Sequence, residues 1–235
     1  MKTILILFVI LPAVIFAQDV KDGGSVRRAD SLRQVRHVGE QGLIIMPGAR
    51  TLPQGVFAVD VFGIVSYNFL YAVTPSTQIG LFSLIPVVPD FEYTVTLNVK
   101  QNVYESCYFS AAAYGNINFK AGFYMAGGIL TFGPVDYNFN AGYLHAVLYR
   151  NGLHDGILLL GAKTKILKSF YFIAEYSNFK SSIMDLDKGF KGLGTAGFRF
   201  YAGTGCFEIG ASVPLIEIGD ETPLVMPIAK GMLYF

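Results

Sequence analysis

The chain has 235 residues, a formal net charge of +1, 52 % hydrophobic and only 15 % charged residues, with 20 Phe, 14 Tyr and 26 Gly. The near-zero charge, without a basic stripe interleaved with aromatics, speaks against a nucleic-acid binder. A chain this apolar with no clean helix-length apolar run after its first residues is left with one membrane solution, a closed β-barrel, because lipid cannot satisfy open backbone edges.

Residues 1–17 carry Met1, Lys2, an apolar run from Ile4 interrupted by Pro12, and small Ala17 before Gln18. This three-part pattern predicts a secretory signal peptide cleaved after Ala17. The run is shorter than the roughly 20 residues a spanning helix needs. Segment 18–40 mixes Arg27, Arg28, Arg33 and Arg36 with Asp19, Asp22, Asp30 and Glu40, and reads as a solvated periplasmic segment below the barrel. The alternative is a contact with a periplasmic partner or peptidoglycan.

Residues 41–235 are read as one all-β domain, a transmembrane antiparallel up-and-down barrel of about 12 strands, with ten as the alternative. The first strand is placed at 41–50. The run 56–73, with Asp60, Gly63, Ser66 and Asn68 among β-branched and aromatic residues, reads as a strand rather than a membrane helix. Period-two alternation is clearest at 93–100, where Tyr93, Val95, Leu97 and Val99 alternate with Thr94, Thr96, Asn98 and Lys100. Phe119, Ala121, Phe123 and Met125 are assigned outward, with Lys120, Gly122 and Tyr124 inward. Phe170, Phe172, Ala174 and Tyr176 are also placed outward. So are Phe207, Ile209, Ala211 and Val213, opposite Glu208 and Ser212. The last strand puts Ala229, Gly231, Leu233 and Phe235 on one face.

Short turns are predicted at 74–77, 101–103, 133–136, 167–169 and 202–205, and longer connections at 150–155, 178–191 and 216–223. Such short-long asymmetry places the short turns and both termini in the periplasm and the long loops outside the cell, with the barrel in the bacterial outer membrane. A carboxy-terminal strand ending on Phe235, with Leu233 two residues before it, resembles the insertion signal of this broad class. That resemblance implies membrane lipid and the barrel assembly machinery as partners.

The stretch Ala49-Arg50-Thr51-Leu52-Pro53-Gln54-Gly55, followed by a long strand, and Tyr71-Ala72-Val73-Thr74-Pro75-Ser76-Thr77-Gln78-Ile79-Gly80 as strand-turn-strand resemble a group of porin-like outer-membrane barrels of Bacteroidota-type bacteria. The resemblance implies a barrel of porin-like appearance and supplies no catalytic motif.

Function is then sought in the lumen. The inward candidates are Asp60, Lys100, Lys120, Lys163, Lys165, Glu175, Arg199, Glu208 and Lys230. Bulky Phe62, Ile64, Tyr124 and Tyr171 are expected to narrow the bore. Charges lining a narrow low-dielectric passage focus the field felt by a solute, so the favoured function is a narrow passive channel for small solutes with a mildly basic lumen. The alternative is a closed structural or binding barrel presenting its outer loops, its lumen charges paired with one another. A lipid-modifying enzyme would need a Ser beside His145, with Ser110 and Ser177 as candidates, and no motif joins them; His37 and His154 fall in the tail and an outer loop. Asp185 and Asp187 are too few for a Ca²⁺ loop. No cofactor, metal or catalytic residue is assigned. Cys107 and Cys206, six strands apart, are too distant for a disulfide.

Overall fold

The computed structural model describes residues 41–63, 66–84, 93–149, 152–178, 190–216 and 225–235. The leader 1–17, the polar segment 18–40 with His37, Ile64, and the loop carrying Asp185 and Asp187 lie outside the described residues. Twelve antiparallel strands close into a barrel in up-and-down order. They are β1 (Phe57–Phe62), β2 (Ser66–Ala72), β3 (Thr77–Leu84), β4 (Thr96–Glu105), β5 (Phe109–Asn118) and β6 (Phe123–Phe132), followed by β7 (Tyr137–Leu148), β8 (Leu153–Leu167), β9 (Phe170–Asn178), β10 (Phe190–Ala202), β11 (Gly205–Ile216) and β12 (Met226–Tyr234). The ring closes between β1 and β12, where Ala58 faces Tyr234. Beyond that pair, Phe57 and Phe235 exchange N–H···O bonds of 3.1 and 2.9 Å, so the terminal residue completes the seam.

The strand number agrees with the sequence reading, but its membership differs. Residues 41–50 are not a strand of the wall. Gly42, Pro47 and Gly48 bracket Leu43-Ile44-Ile45-Met46, and a Pro without an N–H has no place in a central ladder. The run 56–73 makes up the number by folding as the β1–β2 hairpin, which turns after Gly63 at φ +62°. The turn expected at 101–103 lies instead at 106–108. The ladder absorbs a register irregularity between Asn102 and Tyr104, so β4 continues to Glu105.

Alternation sorts the wall into two faces. Phe69, Ile79, Leu81, Leu97, Val99, Leu130, Phe139, Leu158, Phe198, Ile209 and Leu233 stand exposed on the outside, the apolar outer band of a transmembrane-type barrel. Aromatic residues gather at both rims. Phe57 neighbours Phe235 at the end carrying the carboxy terminus, Phe109 pairs with Phe132 there, and Tyr124 pairs with Tyr149 at the other. The outward assignment of Phe123 and Met125 is reversed. Residues 119–122 form a turn, β6 starts at Phe123, and Phe123 and Met125 pack inward while Tyr124 lies outward on Tyr149.

Close strand approach fixes some positions as glycine. A Cβ on Gly127 would collide with the carbonyl oxygen of Tyr143 on β7, whereas a Cβ on Gly231 meets nothing within 4 Å. Gly127→Leu is therefore expected to abolish the folded, heat-modifiable band on cold gel electrophoresis, and Gly231→Leu, on the lipid face, to leave it unchanged.

Candidate functional site

Residues 41–52 occupy the lumen. Gly42 bridges to Pro47 in antiparallel fashion, Leu43 N–H donates to Met46 O at 2.8 Å, and Gly48 N–H donates to Gln41 O at 2.8 Å. The segment is thus a tight hairpin. Its base stays near the short turns, where Thr51 Oγ1 donates to Pro75 O at 2.7 Å and Arg50 donates to Gly133 O at 3.2 Å. Its tip reaches the middle of the barrel at Glu175, on β9.

The wall recognises the hairpin backbone. Lys100 Nζ donates to Gln41 O at 2.8 Å, Arg199 Nη2 to Gly42 O at 2.9 Å, and Lys230 Nζ to Leu43 O and Ile44 O at 3.3 and 3.2 Å. In the opposite sense, Glu175 accepts the Ile45 N–H on both oxygens at 3.1 and 3.0 Å, and the Met46 N–H at 3.4 Å. Lower down, Thr131 Oγ1 accepts from Ala49 N–H at 3.1 Å and Asn102 Nδ2 donates to Ala49 O at 3.0 Å. The side chains of Leu43, Ile44 and Met46 turn the other way. They join Ala112, Ile129, Leu144, Ile157, Leu159 and Ile173 of β5 to β9, and Ile228 of β12, in one buried cluster.

The captured carbonyls and the cross-strand charges form one system. Arg199 faces Glu208, and Glu208 faces Lys230, as direct partners on β10, β11 and β12. Arg199 Nε lies 2.6 Å and Nη2 2.5 Å from Glu208 Oε1, and Lys230 Nζ lies 3.5 Å from Asp60 Oδ2. Arg199 and Glu208 are fully sequestered from solvent.

Eight of the nine residues expected to line the lumen sit on inward positions: the five just described (Asp60, Lys100, Arg199, Glu208 and Lys230), Glu175 at the hairpin tip, and two lysines near the mouth. Those two lie apart from the hairpin tip. Lys163 stacks over the Tyr171 ring at 5.3 Å, and Lys165 pairs with Asp136 at 2.7 Å. Lys120 is the exception. It is exposed in the turn between β5 and β6, over the Tyr93 ring at 5.3 Å, because β5 ends at Asn118. Asp155, buried on β8, and Arg50 of the hairpin belong to the interior and were missed. Phe62 and Tyr171 do face inward.

His145 lies on the exposed outer face, stacked on His154 at 5.7 Å. Ser110 is on the other side of the wall, buried and hydrogen-bonded from Asn102 at 2.8 Å, and Ser177 lines an interior cavity. Cys107 is an exposed free thiol and Cys206 a buried one. Leu233 and Phe235 point outward at the closing seam.

A closed, twelve-stranded, transmembrane-type β-barrel with an internal plug hairpin is the class that fold and lumen define. Among solved structures the chain is similar to that of the NanC porin in a rhombohedral crystal form, with a TM-score of 0.47 and 10 % identity over 77 % of this chain and 98 % of that one. No protein-family model matches the sequence, and no curated protein matches it.

Removing one partner of a buried ion pair strands the other charge, at a cost of about 3–5 kcal/mol, whereas replacing both by apolar groups is far less damaging. Glu208→Gln is expected to lower the unfolding free energy of the refolded barrel, read from its denaturant curve, by that order. The double variant Arg199→Met, Glu208→Leu is expected to lose less than Glu208→Gln alone.

Proposed function

We propose that this protein is an outer-membrane channel held shut by its own plug hairpin, passing small solutes once residues 41–52 withdraw. The observation that carries this reading is the use to which the polar wall is put: Lys100, Arg199 and Lys230 donate to hairpin carbonyls. Asn68 with Asn98, and Thr195 with Ser212, bond one another on the inner face rather than the hairpin. With the hairpin gone, the same groups form a hydrated track of the kind that lines pores. The hairpin reaches into the lumen from the end holding the β1–β12 seam, so no strand has to part for it to leave.

In this reading Glu208 and Asp60 neutralise Arg199 and Lys230 within the wall, and Lys100, released from Gln41 O, supplies the anion bias. The termini and short turns lie in the periplasm and the long connections outside. The assembly machinery reads the last strand through Phe235 and Leu233, and the protein is a conduit rather than a catalyst. A second reading, a permanently closed binding barrel, draws support from the burial of Leu43, Ile44 and Met46 at the tip.

Planar-bilayer recording separates the two. The refolded protein is expected to be silent, and the variant lacking residues 41–52 to show discrete, anion-preferring steps. Gly161→Leu provides an independent check, because a Cβ at Gly161 already collides with Leu43 of the hairpin; it is expected to raise the open fraction with the full chain present. A folded, heat-modifiable deletion variant that stays silent overturns the channel reading.

A further inference from the structure

Six consecutive residues of the hairpin, Gln41 to Met46, are each held by the wall through a main-chain group. Lys100, Arg199 and Lys230 take the carbonyls of Gln41, Gly42, Leu43 and Ile44, and Glu175 takes the N–H groups of Ile45 and Met46. Gly42 to Met46 carry no nitrogen or oxygen on their side chains. The wall therefore holds this stretch through groups that any peptide possesses.

The side chains are sorted by apolar fit. Leu43, Ile44 and Met46 lie among Ile129, Leu144, Ile157 and Ile173, whereas Ile45 borders open space on both sides of the hairpin. Main-chain bonds for affinity, with apolar pockets at some positions for preference, are how extended peptides are recognised at sheet edges. A closed ring has no such edge, and here lysine, arginine and glutamate side chains stand in for it. The same lining disfavours other small solutes. A free anion suits Lys100, Arg199 and Lys230 but is repelled by Glu175, and a free cation meets the reverse. A sugar would set its hydroxyls against Leu144, Ile157 and Leu159, where they find no partner.

We propose that the solute class of this lumen is short peptides with aliphatic side chains, which bind where Gln41 to Met46 now lie. The hairpin is their resident stand-in. This inference rests on the reading that the hairpin withdraws. A bound peptide places its carbonyls on Lys100, Arg199 and Lys230, two N–H groups on Glu175, and its side chains against Ile129, Leu144, Ile157 and Ile173.

The test detaches the hairpin after folding. A protease site inserted between Gln54 and Gly55, both exposed ahead of β1, lets the full chain fold with the hairpin seated and then be cut in lipid nanodiscs. Displaced hairpin fragment and retained peptide are measured by mass spectrometry after gel filtration, with empty nanodiscs measuring partition into lipid. Acetyl-Gln-Gly-Leu-Ile-Ile-Met-amide is expected to displace the fragment saturably. The unrelated acetyl-Ala-Gly-Val-Leu-Val-Leu-amide is expected to do so within about tenfold of it, and the trisaccharide raffinose to have no effect. Methylating the two nitrogens that stand for Ile45 and Met46 removes bonds to a charged acceptor, so it is expected to weaken the first peptide at least tenfold. Glu175→Gln in the barrel is expected to shrink that penalty severalfold. Displacement by the hairpin's own sequence alone, equal displacement by raffinose, no displacement at all, or a methylation penalty that is absent or that Glu175→Gln leaves unchanged overturns the proposal. Conductance of the barrel lacking residues 41–52 is read separately. A conducting barrel that takes no peptide sinks this inference and leaves the channel, whereas a peptide-binding barrel that stays silent sinks the channel and leaves the site.

Discussion

Backbone satisfaction inside a closed wall is the constraint on which this structure depends. Every strand of the ring spends its N–H and C=O groups on two neighbours, so a segment entering the lumen finds no free ladder edge. The hairpin 41–52 meets part of its own need through the Gly42–Pro47 bridge. Its outward-pointing carbonyls at Gln41, Gly42, Leu43 and Ile44 go to lysine and arginine, and its N–H groups at Ile45 and Met46 go to a glutamate. Long cationic side chains suit this task because they cross the lumen and bond whichever carbonyl is in reach. A charged donor also makes a stronger bond than a neutral one.

These same charges would be costly if left alone in the interior, since Lys, Arg and Glu are almost never fully buried unless paired. Strand register resolves the conflict. Arg199, Glu208 and Lys230 are direct neighbours across three strands, with Asp60 on the next. The wall therefore arrives at the lumen with these four charges paired, while Asp60 Oδ1 and Glu208 Oε2 keep no hydrogen-bond partner. On the facing side, β5 to β9 present Ile129, Leu144, Ile157 and Ile173. The lumen is amphipathic, and so is the hairpin. Glu175 and Thr131 on that side also accept hairpin N–H groups, so contacts from both sides of the wall fix its orientation as well as its position.

Much of the wall was legible because barrel strands repeat with period two, and one buried face makes the register hard to mistake. From 96–100, 170–177 and 207–213 the alternation assigns inside and outside as the structure has them, which is why Lys100, Glu175 and Glu208 fall on inward positions. The hairpin was not legible in the same way. Leu43-Ile44-Ile45-Met46 has the composition of a strand, and only the punctuation by Gly42, Pro47 and Gly48 distinguishes it. The β1–β2 turn at Gly63 was hidden inside a continuous apolar run. Around 119–125 the alternation was extended through a turn, which reversed the faces and put Lys120 in the lumen. What periodicity cannot carry at all is capture of a backbone carbonyl by a side chain from a distant strand, as Lys230 does with Leu43 and Ile44. That interaction depends on closure of the ring, a property of the whole chain.

The strand number leaves room for a plug. Barrel diameter grows with the number of strands: at about eight the side chains alone fill the interior, and at sixteen to eighteen a water channel remains. A ring of twelve lies between these limits. Its wall side chains leave a space too wide for them to close and narrow enough for one hairpin to occupy. Filling it with an aliphatic core would demand larger residues at Ala112, Ala146 and Gly161, yet these stay small where the hairpin approaches: Ala112 and Ala146 lie in the cluster around Leu43, Ile44 and Met46, and Gly161 touches Leu43. The interior is thus shaped to receive a piece of backbone. Ordering that piece costs about 1–2 kcal/mol of conformational entropy per residue, which offsets much of what its buried side chains and captured carbonyls contribute. The hairpin's place in the lumen is thus a difference of two sizeable contributions, its buried side chains and captured carbonyls against the ordering of its backbone.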